Sequence, residues 1–166
     1  MTKAIRTRTP PIDPTQDGID HINVWSKAAT PLGKWLSNFY LSPFEHPRYG
    51  RFSSMEAFWY WIATGRSHDE LRNLWGFSAK AQGSKLERVP MEEGDFQEAI
   101  IEGLRCKAAT YPEMLKLLSV TELPLRHYFV FNGRVVDQTR KHQWQLDAWR
   151  EIAKTDHNLY ELGDSR

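Results

Sequence analysis

The chain of 166 residues contains a single cysteine, Cys106, so no disulfide can form within it. It also lacks any run of about 18 consecutive apolar residues, the length that a membrane-spanning helix needs. Its N-terminal residues show no apolar segment typical of a secretion signal. These absences argue against a secreted or membrane-spanning protein, and we expect a cytoplasmic one with no membrane partner.

A charge excess of either sign is absent too. The chain has 22 lysines and arginines against 21 aspartates and glutamates, a net charge of +1. Such a balance provides no general attraction to nucleic acid or to an anionic membrane, so any phosphate site has to be a local cluster of cations.

Metal and phosphate motifs are also missing. The six histidines show no ligand spacing such as H-E-x-x-H, and neither G-x-G-x-x-G nor a P-loop occurs. We therefore expect no metal and no other cofactor. A bound nucleotide would be held by arginines and aromatic side chains rather than by a glycine-rich loop.

Proline and glycine positions indicate the domain organisation. Residues 1–20 carry three prolines and few large apolar side chains, so we expect a flexible or loosely docked arm there. The remaining length, residues 21–166, suits one domain. Alternating polar and apolar residues predict a strand over 21–25, and β-favouring residues predict an extended segment over 35–40.

Helical spacing of apolar residues dominates the rest of the chain. The segments predicted to be helical are 54–64, 69–75, 78–88, 95–109, 112–119 and one that follows Thr139. Asn132-Gly133 separates two β-rich runs, 128–131 and 134–137, and predicts a hairpin because both turn residues tolerate positive φ. The expected fold class is α+β, mainly helical, with a small β-sheet or hairpin.

Glu56 is an unusual residue for its surroundings, since it is the one charged residue near the start of the very apolar segment Met55–Trp61. Burying a carboxylate is costly, which points to a site. The alternative is structural: Ser53 lies three residues earlier, and Ser-x-x-Glu is also a capping box. On the residues alone this alternative is the stronger one.

Asn38 stands among aromatic residues in the same way. Its amide can donate and accept hydrogen bonds at once, which suits the reading of ribose hydroxyls, but a turn-forming asparagine is the ordinary explanation. Trp35, Phe39 and Phe58 are candidates for the walls of a pocket or for stacking on a base, although each taken singly is more typical of a core.

The L-S-N-F segment at 36–39, followed by a Ser-x-Glu that opens an aromatic-rich helix, resembles the NADAR (YbiA-like) superfamily. Members of that family are N-glycosidases that act on ribosides and ADP-ribose conjugates. The resemblance implies that Glu56 is the essential glutamate and that Asn38 and Phe39 line the pocket. It runs in order from about Ile22 to Ala153.

Two further residues enter through the resemblance. The segment 103–107 is similar to the family's A-L-R-x-K-F, and the resemblance implies a Lys107 that attacks opened ribose to form a Schiff base. Arg105 and Lys107 are two cations close to small and apolar residues, which makes them candidates for binding phosphate; an ordinary solvated helix face is the alternative. Asp137 is matched to the family's late catalytic aspartate, and its ordinary interpretation is a helix N-cap.

The chain departs from the family in several places, since the histidine, glutamine and lysine of S-E-H-x-x-Q-A-x-K and the W-G-D-G segment are absent. The leading hypothesis is an N-glycoside hydrolase that cleaves a ribosyl-nitrogen bond in a nucleotide-like substrate, an ADP-ribosylated base or an aminouracil ribotide of riboflavin biosynthesis. The alternatives are a non-catalytic module that binds ADP-ribose or a nucleotide and, more weakly, a protein-interaction domain. We expect a small-molecule partner, nucleic acid only where it carries ADP-ribose, and no partner protein.

Overall fold

The computed structural model describes the chain from residue 10 to residue 161, with side chains to residue 156. Its class is α+β and mainly helical, as the sequence predicts. The helices are α1 Pro31–Leu36, α2 Met55–Ala63, α3 Gly76–Gly83, α4 Glu93–Thr110, α5 Pro112–Val120 and α6 Gln143–Glu161.

The strands are short and form three separate pairs. They are β1 Ile22–Asn23, β2 Phe44–His46, β3 Gly50–Phe52, β4 Leu125–Arg126, β5 Tyr128–Phe131 and β6 Arg134–Asp137. β1 and β4 pair in parallel, whereas β2 with β3 and β5 with β6 are antiparallel. The parallel pair brings the beginning of the described chain against the segment before the hairpin, which places residues about 100 positions apart side by side.

Helix α2 lies at the centre of the fold. Its N-cap is Ser54, whose hydroxyl accepts a hydrogen bond from the N–H of Ala57 at 3.1 Å, and it ends before Gly65, which has a φ of 94°. All but two of its nine residues, Glu56 and Trp59, are buried. A helix that is apolar on nearly every side has to be covered on nearly every side, here by α3, α4 and the β2–β3 pair.

Helix α4 approaches α2 closely at Gly103. A Cβ placed on Gly103 would lie 2.5 Å from a ring carbon of Phe58, so only glycine permits this distance between the helices. The contact fixes α4, and with it Lys107 one turn further on, against the central helix.

The hairpin prediction is confirmed. β5 and β6 have the predicted bounds, and the turn residues Asn132 and Gly133 both have positive φ, 48° and 72°. This turn geometry matches the right-handed twist of the paired strands.

The extended segment predicted over 35–40 is wrong. Trp35 and Leu36 belong to α1, because Pro31 occupies the first turn and the hydroxyl of Thr30 caps it by accepting a bond from the N–H of Gly33 at 2.9 Å. The start signal lies before the β-favouring residues and overrides them.

Two helix predictions also need correction. The segment 69–75 forms only a short 3-10 helix, Asp69–Leu71. The helix predicted over 78–88 is α3, which begins at Gly76 and ends at Gly83, so Ser78 lies within it rather than at its cap.

The expected N-terminal arm divides into two parts. Residues 1–9 lie outside the described residues. In residues 10–20, the carboxylate of Asp17 accepts hydrogen bonds from the backbone N–H groups of Asn23 and Ala29, both at 2.8 Å. Asp17 thus attaches this segment to the fold, an attachment that composition alone does not indicate.

None of the helices within residues 10–161 combines the length and the apolar character that crossing a membrane requires.

Gly103→Ala is expected to destabilise the protein by about 1–3 kcal/mol, because the added methyl group would overlap the ring of Phe58. Gly94→Ala in the same helix is the matched control, since a Cβ there meets no atom within 4 Å. It should stabilise by up to about 1 kcal/mol through helix propensity. Urea unfolding measures both, and equal stabilities would contradict the close approach of α4 to α2.

Candidate active site

A cavity of about 450 Å³ opens where α2, α3, α6 and the loop after α1 meet. Its lining consists of Val24, Ser37, Asn38, Phe39, Glu56, Trp59, Tyr60, Lys80, Arg88, His127, Lys141, His142, Gln145 and Leu146.

Glu56 is the single acidic residue of this lining. Burial raises the pKa of its carboxyl group from the ordinary 4.5 to about 7, and the positive charge of Lys80 opposes that rise. The capping-box interpretation fails because Ser54, not Ser53, is the N-cap, which makes Ala57 the third helical residue. The Glu56 carboxylate accepts no hydrogen bond from the described residues, so it remains available to a ligand.

The loop of Ser37, Asn38 and Phe39, called the 37–39 loop below, connects the helices around the cavity. The carbonyl of Asn38 accepts the N–H of Glu56 at 2.9 Å, and the carbonyl of Phe39 accepts the N–H of Gly76 at 3.0 Å. These are N–H groups of the first turns of α2 and α3, which have no partner within their own helices. The loop therefore sets the positions of Glu56 on α2 and of Lys80 on α3.

Asn38 lies at the cavity, as the resemblance implies, and pairs with Gln145 of α6. The two amides exchange hydrogen bonds, from Gln145 to Asn38 at 2.6 Å and from Asn38 to Gln145 at 3.4 Å. Each amide retains hydrogen-bonding capacity beyond this exchange. Phe39 also lines the cavity, and the Lys80 ammonium lies 5.9 Å from the centre of its ring.

Lys107 lies behind the 37–39 loop rather than in the cavity. Its side chain is fully buried, and its Nζ donates hydrogen bonds to the carbonyls of Trp35 and, at 3.4 Å, of Ser37. The indole rings of Trp35 and Trp149 lie 5.1 Å and 5.9 Å from the same nitrogen.

Burial lowers the pKa of Lys107 to about 7, while the carbonyls and the electron-rich ring faces favour its charged form. This environment suits an anchor for the end of α1 and the beginning of the 37–39 loop. It provides no opening through which Nζ could reach a ribose, so the geometry favours anchoring over the Schiff-base role.

Four other predicted residues lie apart from the cavity. Trp35 and Phe58 are core residues with 3% and 0% of their surface exposed. Arg105 is exposed on α4 and does not line the cavity. Asp137 accepts a hydrogen bond from the backbone N–H of Thr139 at 2.9 Å, which is a local turn contact. It is not the helix N-cap named as its alternative, because α6 begins only at Gln143.

Five residues of the lining carry titratable nitrogen and were missed in the sequence. They are Lys80, Arg88, His127, Lys141 and His142. Lysines and arginines on exposed helix faces and loops are ordinary, so no local pattern separates these from the other cations of the chain. Folding gathers them from three separate stretches around one carboxylate.

Comparison of the chain with models of known protein families and with curated protein sequences gives no match. Within the described residues, no group of three or more histidine, cysteine, aspartate or glutamate side chains is arranged to hold a metal ion.

Glu56→Gln should change how stability depends on pH. The folded state holds the Glu56 proton up to about pH 7 and the unfolded chain only to about 4.5, so wild-type stability falls as pH rises through this window. The glutamine variant lacks that loss and should be more stable at pH 8 by up to about 3 kcal/mol. Urea unfolding at pH 4 and pH 8 measures it. A stability difference between the two proteins that is the same at both pH values would contradict the raised pKa of Glu56.

Lys107→Met should loosen the 37–39 loop, because it removes the donor to the carbonyls of Trp35 and Ser37. The amides of Glu56 and Gly76, which bond to this loop, should exchange hydrogen faster. Arg105→Met is the control, since Arg105 is exposed on the same helix. Hydrogen-exchange mass spectrometry measures the effect, and unchanged protection at both amides would show that Lys107 does not anchor the loop.

Proposed function

We propose that this protein is an N-glycoside hydrolase that cleaves a ribosyl-nitrogen bond in a phosphate-bearing, nucleotide-like substrate, as members of the NADAR superfamily do. The observation that carries the proposal is Glu56, a carboxyl group with a raised pKa in a cavity whose lining holds cationic, amide, histidine and aromatic side chains and no second acidic residue.

The first step concerns the ligand's charge. Lys80, Arg88 and Lys141 bring three cations to the lining, against the one carboxylate of Glu56. With an overall charge of only +1, this local excess is a property of the cavity and not of the chain. It favours a ligand that carries phosphate.

The second step concerns the rest of the ligand. Phe39 and Trp59 offer aromatic surface for a planar base, and the Asn38–Gln145 amide pair can donate to and accept from hydroxyl groups. The cavity of about 450 Å³ thus has side chains suited to each part of such a ligand: aromatic rings for the base, amides for the sugar hydroxyls and cations for the phosphate.

The third step concerns the reaction. Cleavage of an N-glycosidic bond leaves a nitrogen that has to gain a proton while positive charge develops at the anomeric carbon. A carboxyl group with a pKa of about 7 is still partly protonated at neutral pH, so Glu56 can give that proton. The resulting carboxylate then stabilises the positive charge of the sugar.

Both substrates named above, an ADP-ribosylated base and an aminouracil ribotide, contain this bond and a phosphate. A non-catalytic module that binds ADP-ribose would use the same cations and aromatic surfaces. It would not need a carboxyl group with a raised pKa, whose burial costs stability, and Glu56 therefore favours the enzyme.

Glu56→Gln is expected to lower turnover by about 10²–10⁴-fold, because the amide has the same shape but cannot donate a proton as an acid. Wild type and variant are incubated with an ADP-ribosylated base and with an aminouracil ribotide, and the released base is measured by mass spectrometry. Binding of ADP-ribose is measured by isothermal titration and should persist in the variant.

Glu113→Gln is the matched control, since Glu113 is an exposed carboxylate in the first turn of α5 and is not part of the lining. It should retain wild-type turnover. Binding of ADP-ribose without hydrolysis by the wild type would identify a binding module instead. Wild-type turnover in Glu56→Gln would show that another group supplies the proton.

A further inference from the structure

His127 is a cavity residue whose side chain is held in one orientation. It lies between β4 and β5, and its Nδ1 is 2.6 Å from the carbonyl oxygen of Val24. A carbonyl only accepts, so Nδ1 carries the hydrogen. In the neutral ring Nε2 is then the nitrogen with a free electron pair.

The backbone on either side of His127 is held as well. The hydroxyl of Thr139 accepts the N–H of His127 at 3.0 Å and contacts its carbonyl at 3.3 Å, and the N–H of Gln138 donates to that carbonyl at 2.8 Å. These contacts join the segment that follows the hairpin to His127. They leave the ring little freedom to turn away from Val24.

Nε2 of His127 forms no hydrogen bond with the described residues. The fully buried side-chain atoms that lack a partner there belong to Trp35, His46 and Trp149, so Nε2 of His127 is not fully buried. It is therefore in contact with solvent. His127 also lines the cavity of Glu56, which is the open space next to this side chain. An unprotonated, accessible nitrogen in a fixed ring is the arrangement that a general base needs.

Burial favours the neutral form of the His127 ring. Burial lowers the pKa of His127, although the Val24 carbonyl and the carboxylate of Asp137 oppose this. The His142 ring lies edge-on at 5.1 Å, and burial, His127 and Lys141 lower the pKa of His142 to about 4. Environment thus shifts Glu56 toward its acid form and His127 toward its base form, which is how one cavity maintains both an acid and a base near neutral pH.

We propose that His127 is the general base of this site and that its Nε2 removes a proton from the attacking water. The water oxygen bonds to the anomeric carbon as the carbon-nitrogen bond breaks. The water proton passes to Nε2, and the Glu56 proton passes to the leaving nitrogen, so charge and protons balance. This assignment rests on the proposed hydrolysis.

Asp137 gains a different role from the one that the resemblance implies. Its carboxylate is exposed and bonded to Thr139, yet its charge favours the protonated form of His127. It acts on the base from outside the cavity rather than on the substrate.

The first test does not require turnover. Diethyl pyrocarbonate acylates accessible unprotonated imidazole nitrogens, and the modified residues are identified by mass spectrometry. His127 should react at neutral pH and should be protected by ADP-ribose. His46 should not react, because its ring is 1% exposed and its Nδ1 accepts the N–H groups of Arg48 and Tyr49. An unreactive His127 beside a reactive surface histidine such as His68 would overturn the proposal.

The second test is His127→Asn, which retains an amide N–H near the position of Nδ1 for the Val24 carbonyl but has no base. Turnover should fall by about 10²–10⁴-fold with ADP-ribose binding preserved, and the acid limb of the pH profile of kcat/KM should disappear. His68→Asn, at a partly exposed histidine outside the cavity, should retain turnover. Wild-type turnover in His127→Asn would overturn the assignment alone, whereas no turnover in the wild type would overturn the proposed function and the assignment with it.

Discussion

The position of the 37–39 loop is the constraint on which the cavity depends. A fully buried lysine, Lys107, holds the loop from the core side through the carbonyls of Trp35 and Ser37. The same loop accepts hydrogen bonds from the first turns of α2 and α3 and exchanges amide bonds with α6. Removing the ammonium would take a donor from both carbonyls, and only that of Ser37 has a further one shown, the N–H of Tyr40 at 3.3 Å. A buried acceptor that loses its donor costs more than the bond itself contributes. The burial of one charge therefore fixes three helices around one space.

Desolvation shifts the pKa values of two cavity residues in opposite directions, upward for Glu56 and downward for His127. Withdrawal from water disfavours the charged form of any group, so it turns Glu56 into a weaker acid and His127 into a weaker base. Lys80 limits the first effect and Asp137 the second. Neutral forms of both groups coexist near pH 7 as a result. The cations of the cavity lining, Lys80, Arg88 and Lys141, remain available for phosphate. The proposed acid and base roles follow from this single physical cause.

Local signals predicted the elements that they control directly. Asn132-Gly133 specified the hairpin because few residue pairs tolerate two positive φ angles, and the apolar run after Ser54 specified α2. The extended segment predicted over 35–40 is wrong because β propensity is a weaker signal than the helix start at Pro31, which Thr30 caps. For the site, Glu56, Asn38 and Phe39 were found from the sequence and lie at the cavity. Trp35, Phe58, Arg105 and Lys107 lie elsewhere, since helical spacing does not tell a core face from a cavity face.

The sequence by itself determined the fold class, the central helix with a carboxylate at its start, and the hairpin, because each depends on neighbours within a few positions. Only the tertiary structure decided which cations and histidines share the space with Glu56. Lys80, His127 and Lys141 come from stretches that no periodicity connects, and their meeting follows from the packing of α2 against α3 and from the parallel pairing of β1 with β4. Tertiary packing also decided that Lys107 is an anchor, since a lysine on a helix gains or loses contact with water only through what covers it.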